Sequence, residues 1–339
     1  MPERISDDQD ASHIAHSAPG EQPLVSVVIP NWNGAHHLRD CLESLRRQTL
    51  HAFEVIVADN GSTDGSLELL ARDYPEVQVL SLGENRGFAG ACNAGMQEAQ
   101  GTFVTLLNND TEAEPQWLSE IVAAFQRHPE AGLIASKMLL FDRRDTFHTA
   151  GDFYRVDGIP GNRGVWQKDE GQYDSEERVF SACGGSAAYR ETLLEQVGLL
   201  DEDFFYSCED VDLAWRAQLT GWQCIYAPRA IVYHKLSATG GGRTASFYDG
   251  RNFIYLLVKD YPGDLWRIHW QAIARAQLRL AWEAARAWRG AAARARLRGM
   301  VAGLLGIPKM LGKRQVVQRS RTVDRKYLED VLVRVDETP

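Results

Sequence analysis

The sequence has no run approaching the ~18–20 apolar residues that a membrane-spanning helix requires. Its polar, acidic opening, "MPERISDDQDASHIAHSAPGEQP", lacks the apolar stretch of a secretory signal. Cysteine is sparse: Cys41, Cys92, Cys183, Cys208 and Cys224 are odd in number and form no C-x-x-C pair. That argues against a disulfide framework or a zinc knuckle, and for a reducing compartment in which each thiol is a small apolar packing group. No G-x-G-x-x-G follows the first strand-like segment, where "PNWNGAHHL" stands instead, so a dinucleotide-dependent oxidoreductase is disfavoured. A Gly-rich loop with Arg or Lys, the mark of a sugar nucleotidyltransferase, is missing from the same place. Basic and aromatic residues do not interleave in any recognisable nucleic-acid-binding pattern, and no nucleic-acid partner is expected.

What is present is a soluble, globular composition over 339 residues, 44% hydrophobic and 24% charged, enough for one large domain with an extension or two modest ones. Residues 1–23 read as a disordered leader. The net charge of −9 is unevenly spread: Asp264 to Arg321 holds thirteen Arg or Lys against two acids, +11, so the remainder carries −20. An acidic body with a basic tail is a two-part electrostatic object.

Strand and helix patterns alternate four times in the first third. "LVSVVIP" (24–30), "FEVIVAD" (53–59), "VQVLSL" (77–82) and "TFVTLL" (102–107) read as strands; 36–49, 66–73 and 90–100 read as helices. This is the signature of βαβ units in a mostly parallel sheet, whose ligands sit beyond the carboxyl ends of the strands. Three polar strand ends, "PNWNG" (30–34), "ADNGSTDG" (58–65) and "NNDT" (108–111), would share that rim. Any one alone could be a surface loop; together they favour a nucleotide-type site. Further on, the chain is irregular from Phe125 to Tyr173 apart from a strand at 132–141. "EDVDLAWRAQL" (209–219) then reads as a helix with an acidic start, and 224–234 as a strand ending in His234.

Two carboxylate groups and one histidine could do chemistry. Asp110 at a strand end suits a divalent ion bound to a diphosphate, which wants few hard oxygen ligands. Asp210 at a helix N-terminus suits a general base, because that position favours the ionised form. Spacing alone leaves open that the acids merely cap the helix and that His234 is bonded to a carbonyl.

Read in order, "VSVVIPNWNG", "VIVADNGSTDGS", "NRGFAGACNAG", "LLNNDT", "GLLDEDFFYSCEDVDLAWRAQLTGW" and "YHKLSATGG" resemble the family 2 glycosyltransferases of the GT-A fold, over about residues 24–245. The last two pieces look most like bacterial rhamnosyltransferases acting on cell-surface polysaccharides. The resemblance implies a GT-A α/β catalytic domain at 24–262, its nucleotide-sugar half at about 24–112 and its acceptor half at 113–262, followed by a basic amphipathic helical extension at 263–339. It implies an inverting, metal-dependent transferase using a dTDP- or UDP-linked sugar and a glycan or lipid-linked acceptor. Rhamnose is the first choice of sugar, with a UDP-hexose or galactofuranose as alternative; a non-catalytic nucleotide-sugar-binding protein is the alternative of another class. Pro30, Asn31 and Asn33 would wrap the nucleotide, Asp59 would bond the base, Arg86 and Asn93 would lie along the nucleotide, and Asn109 would hold ribose or water. Asp110 and His234 would hold Mg²⁺ or Mn²⁺. The first acid of the family's D-x-D-like motif is replaced by Asn108, so the ion would rest on one carboxylate rather than two. Asp210 would be the catalytic base, and Glu209, Trp215 and Gly185 would serve the acceptor.

Two features stay open at this level. The basic tail, with Trp266, Trp270, Trp282 and Trp288 among its arginines, suits peripheral contact with the cytoplasmic face of a membrane. It equally suits helices packed on the catalytic domain, with arginines solvated and tryptophans buried. The Gly-rich loop 236–244 is a candidate lid or a plain linker.

Overall fold

The computed structural model describes residues 22–236 and 242–337. Most of the predicted leader and the centre of the Gly-rich loop lie outside the described residues.

The first third forms β1 (Val25–Asn31), α1 (Ala35–Arg46), β2 (Phe53–Asp59), α2 (Ser66–Asp73), β3 (Gln78–Ser81), α3 (Gly87–Glu98) and β4 (Phe103–Leu107). β1 pairs in parallel with β2 and β4, and β2 with β3. β1, β2 and β4 are largely apolar because both their faces are covered, whereas the edge strand β3 is mostly exposed. Val25, Val27 and Ile29 pack with Leu38, Cys41, Leu42 and Leu45 of α1. Val28 joins Ala89, Cys92 and Met96 of α3 in the opposite cluster. The period-2 alternation thus divides one apolar run between two cores.

The second part adds β5 (Thr111–Ala113), α4 (Trp117–Arg127), β6 (Ala131–Leu140), β7 (Phe147–Thr149), β8 (Asp152–Tyr154), β9 (Pro160–Asn162), β10 (Glu177–Val179), β11 (Ser186–Arg190), α5 (Glu191–Val197), a 3-10 turn at Glu202–Phe204, α6 (Glu209–Leu219) and β12 (Gln223–His234). The sheet runs β10-β12-β6-β11-β4-β1-β2-β3, with β5 on β12 and β7 on β6. The nucleotide half is parallel; β11 enters antiparallel to both β4 and β6, while β12 returns parallel to β6. This is the GT-A arrangement: a mixed sheet flanked by helices. α2 and α6 have the predicted bounds. The stretch predicted as irregular holds β7, β8 and β9, too short to show a period.

The C-terminal part is α-helical: α7 (Gly242–Lys259), α8 (Gly263–Arg286), α9 (Ala291–Leu305), α10 (Ile307–Arg319) and α11 (Arg325–Val331). α7 and α9 cross at glycines, where a Cβ on Gly299 would overlap the Phe247 carbonyl and one on Gly250 the Arg296 carbonyl. α10 brings cations to the acidic body: Lys309 and Lys313 pair with Asp203, Lys313 also with Asp201, and Arg314 donates to the carbonyls of Val258 (2.9 Å) and Tyr261 (2.7 Å). Part of the basic tail is therefore internal counter-charge. Its tryptophans are not buried as the packed alternative supposed: Trp270, Trp282 and Trp288 are exposed, and among the four only Trp266 is tied in, donating to the Leu257 carbonyl at 3.0 Å.

Because the α7–α9 crossing leaves no room for a methyl group, Gly299→Ala should cost about 1–3 kcal/mol, the usual penalty of overpacking. Urea unfolding checks this; an unchanged midpoint would show that the helices can part without loss.

Candidate active site

A cleft of about 600 Å³ opens at the carboxyl ends of β1 and β4, between the nucleotide half and α6–α7. Asp110 and His234 meet there through strand register: β5 pairs antiparallel with β12, setting His234 against Thr111. His234 Nε2 lies 3.0 Å from Asp110 Oδ1, and His234 Nδ1 lies 3.1 Å from His148 Nδ1. β7, on the other side of β6, delivers His148. Burial, with His234 beside it, pushes the His148 imidazole down to about 3, so it is neutral at physiological pH. A neutral His148 can accept the His234 Nδ1 proton, which leaves the Nε2 lone pair facing the Asp110 carboxylate. In that tautomer a proton or a metal ion sits between the two atoms; in the other, His234 Nε2–H donates to Asp110. The donor set, one carboxylate oxygen and one imidazole oriented by a second histidine, fits a divalent ion of the Mg²⁺ or Mn²⁺ kind.

Asp210 sits in the first turn of α6. Its Oδ2 accepts from Gly184 N at 2.7 Å and its Oδ1 from Val211 N at 2.8 Å. The turn ahead of it is strained: Phe205, Ser207 and Cys208 have φ of 61°, 68° and 68° without being glycine. Asn252 of α7 holds that turn, its amide donating to the carbonyls of Phe204 (3.1 Å), Tyr206 (3.0 Å) and Ser207 (2.6 Å). Burial raises the Asp210 carboxyl above its ordinary value against the pull of the two backbone N–H groups. Burial and the Asp210 charge push Glu209 well above the carboxylate range, and its Oε2 is buried without a hydrogen bond.

Of the expected site residues, Pro30, Asn31, Asn109, Asp110, Gly185, Glu209, Asp210 and His234 line the cleft. Asp59 stands one layer below, fully buried, accepting from Asn31 Nδ2 (3.0 Å) and Ser62 N (3.0 Å). Asn33 lies beside the rim, where its side chain accepts from Thr63 N at 2.8 Å. Arg86 is half-exposed outside the cleft; its backbone N–H donates to Asn60 Oδ1 at 2.8 Å. Two assignments are corrected. Asn93 faces away from the nucleotide, bonding both backbone groups of Leu200 (2.9 and 3.0 Å) and Glu202 (3.0 Å), so it ties α3 to the 3-10 turn. Trp215 is fully buried, edge-on to Tyr154, Phe180 and Tyr261, and cannot touch an acceptor. Residues that sequence reading missed also face the cleft: Asn60, Asn85 and Phe88 on the donor side, and His148, Asp152, Cys183 and Asp249 toward the acceptor half. "NRGF" was legible as part of a motif piece; nothing marked His148 or Asp152. Leu236 and Thr244, on either side of the loop expected as a lid, both line the cleft, while 237–241 lie outside the described residues.

The cleft is rich in acidic groups. Among the described residues lining it are five carboxylates, Asp110, Asp152, Glu209, Asp210 and Asp249, and no Lys or Arg.

The glycosyl transferase family 2 model matches residues 26–198, half of the chain. The chain belongs to glycosyltransferase family 2. Among curated relatives it is 28% identical over 268 residues to the N-acetylglucosaminyl-diphospho-decaprenol L-rhamnosyltransferase of Mycobacterium tuberculosis, covering 72% of this chain and 87% of that one. Among solved structures it resembles the mannosyltransferase PcManGT of Pyrobaculum calidifontis, in complex with GDP-Man and Mn²⁺, at TM-score 0.53 and 17% identity, over 92% of this chain and 84% of that one. It also resembles GalNAc-T7 with UDP, GalNAc and Mn²⁺, at TM-score 0.59 and 16% identity, over 75% of this chain and about half (52%) of that one. At these identities the structural likeness speaks for the fold. As a family 2 glycosyltransferase the chain is an enzyme of sugar transfer.

Glu209 gives a stability prediction with a definite sign. A carboxyl whose folded proton affinity is raised adds stability below its unfolded value, near 4.5, and loses it as pH climbs toward the folded value. Glu209→Gln should therefore flatten the fall in melting temperature between pH 5 and 8. At pH 8 it should stabilise by about 1 kcal/mol or more, since a tenfold change in proton affinity is worth about 1.4 kcal/mol. An unchanged pH slope would mean that Glu209 is solvated.

Proposed function

We propose that this glycosyltransferase is inverting and metal-dependent. In this reading it moves a sugar, rhamnose first among candidates, from a nucleoside-diphosphate donor to a cell-surface glycan or lipid-linked acceptor. The observation that carries the metal dependence is the charge of the cleft. A diphosphate brought among five acidic side chains, with no lysine or arginine in the described lining to receive it, calls for a divalent counter-ion. In this reading Asp110 and His234, 3.0 Å apart at the cleft wall, are its seat. Bound there, Mg²⁺ or Mn²⁺ would offset the charge that grows on the departing nucleotide. The rhamnosyl donor and the lipid-linked acceptor are suggested by the mycobacterial relative's name.

The chain's own residues supply the rest. On the donor side Asn109 donates to Asn31 (2.7 Å) and Asn31 to Asp59, an interlocked amide row that presents neutral donors and acceptors to the nucleotide. Asp210, fixed by two backbone N–H groups, takes the proton of the acceptor hydroxyl while that oxygen attacks the anomeric carbon opposite the leaving diphosphate. One displacement inverts the configuration. The burial that raises Asp210 makes it a better proton acceptor than an exposed aspartate.

Nucleoside-diphosphate release from a panel of dTDP-, UDP- and GDP-sugars, with Mg²⁺ or Mn²⁺, tests this. Turnover should be lost by at least ~10³-fold in Asp210→Asn with nucleotide affinity kept. Asp110→Ala should lose turnover together with Mn²⁺ binding. Turnover undiminished by chelation would sink the metal-dependent reading, and release from a UDP-sugar alone would displace rhamnose.

Membrane contact is the second part of the proposal. No helix among the described residues is long and apolar enough to cross a membrane. Instead α8 presents Ile268, Trp270, Leu278 (70% exposed) and Trp282 to solvent beside the exposed Arg267, Arg275, Arg279 and Arg286. Apolar anchors among arginines suit the cytoplasmic face of an anionic bilayer, where a lipid-linked acceptor would be met. The protein should co-sediment with phosphatidylglycerol vesicles at low salt, and Trp270→Ser/Trp282→Ser should lower the bound fraction at least ~5-fold. Failure of the wild type to sediment would end the membrane proposal.

A further inference from the structure

Asp152 lies at the acceptor end of the cleft and has no part in the chemistry described so far. Its main chain is fixed on both sides, its N–H donating to Ser181 O and its carbonyl accepting from Phe180 and Ser181. Its Oδ1 accepts from Thr149 Oγ1 (2.7 Å) and Asn162 Nδ2 (2.9 Å). Its Oδ2 makes no hydrogen bond among the described residues, although the residue is only 6% exposed and lines the cleft. A carboxyl oxygen held rigidly at the wall of a cavity, its sister oxygen already bonded, is placed to take a ligand hydroxyl in place of water. A carboxylate oxygen of Asp152, one of Asp210 and the Cys183 sulfur all lie within 4.8 Å of one another. Two carboxyl groups at that separation can each take one of two neighbouring hydroxyls at ordinary O–H···O lengths of about 2.7 Å.

We infer that Asp152 is an acceptor-recognition residue: it bonds the hydroxyl next to the one Asp210 deprotonates, so the enzyme selects acceptor sugars carrying a vicinal diol. The inference rests on the reading of Asp210 as base. It is supported by the proton affinity of Asp152, which burial and the adjacent Asp210 charge raise to about 7. Near neutrality a carboxyl of that kind can donate to, or accept from, a sugar hydroxyl. Cys183, whose thiol burial holds neutral, walls the pair on the third side without competing for charge. The device discriminates because an acceptor seated over Asp152 but lacking the second hydroxyl covers that carboxyl oxygen without giving it a partner.

The test uses the full chain with N-acetylglucosaminyl diphosphate on a short prenyl chain, together with its 3-deoxy and 4-deoxy analogues. Whichever analogue still accepts sugar lacks the neighbouring hydroxyl. Wild type should use it at least ~10-fold less efficiently than the parent. Asp152→Ala should show no such preference, with the acceptor KM raised at least ~10-fold and kcat within about 3-fold. Asp152→Asn keeps an oxygen for Thr149 and Asn162 and an amide toward the cleft, and should recover part of the preference. Preference retained in Asp152→Ala, or a fall in kcat at unchanged KM, overturns the inference. Binding of the parent acceptor, followed by saturation-transfer NMR, separates the two readings. Binding that Asp152→Ala abolishes, with no transfer from any donor, keeps the recognition role and removes the transferase mechanism. Binding unaffected by Asp152→Ala removes the recognition role whatever the turnover.

Discussion

The crowding of acidic groups with little internal counter-charge governs this cleft. Carboxylates from four parts of the chain, the end of β4, β8, the start of α6 and the middle of α7, converge on one cavity whose described lining contains no lysine or arginine. Such a set is tolerable only if its members are separated in role. Asp210 is stabilised by two backbone N–H groups, Asp152 by a hydroxyl and an amide, and Asp249 by Ser207 (2.8 Å) and a distant Arg296 (3.4 Å). Glu209 has little help, and burial answers by keeping its proton. The elevated proton affinities of Asp152, Glu209, Asp210 and Asp249 are one effect seen four times: desolvation in a shared anionic enclosure.

The opposite side of the cleft is built from neutral amides. Asn109, Asn31 and Asp59 form one chain of hydrogen bonds; Asn60 forms another with Asn85 (3.1 Å) and Gly87 (3.0 Å). Asparagine offers both donors and acceptors, so it can bind ribose, base or water without adding charge. The division between an amide-rich wall and an acid-rich wall follows the fold. The carboxyl ends of the parallel strands deliver the amides and Asp110, and β8, α6 and α7 bring the other acids.

The periodic, locally determined parts of this architecture were legible in the residues. Apolar runs at 24–30, 53–59 and 102–107 read as strands, and form them within a residue because both faces are buried; 209–219 read as a helix because its acidic start and Gly221 mark its ends. Asp110, Asp210 and His234 were legible because each ends or begins such an element. What escaped was set by tertiary contact. Trp215 belongs to a helix whose every residue from Val211 to Leu219 is buried, so no amphipathic stripe showed that it points into an aromatic core. Asn93 carries a family-motif position yet serves a bond to a segment more than a hundred residues away. His148 and Asp152 sit on three-residue strands with no period, and they reach the cleft only through pairing with β6 and with the segment around Ser181. The tail's two roles were hidden for the same reason: charge alone did not separate the lysines of α10, bound to Asp201 and Asp203, from the arginines left in solvent on α8.

Those lysines tie the beginning of catalysis to the end of the chain. The strained turn at 203–208 is gripped by Arg251 and Asn252 of α7, α7 is pressed by α9, and the acids at the head of the turn are neutralised by Lys309 and Lys313 of α10. A ribosome releases the parallel sheet first and these helices last. The donor wall can therefore assemble while synthesis is under way. The turn ahead of Asp210, gripped by α7 and braced by α10, gains its last contacts only when nearly the whole polypeptide has emerged.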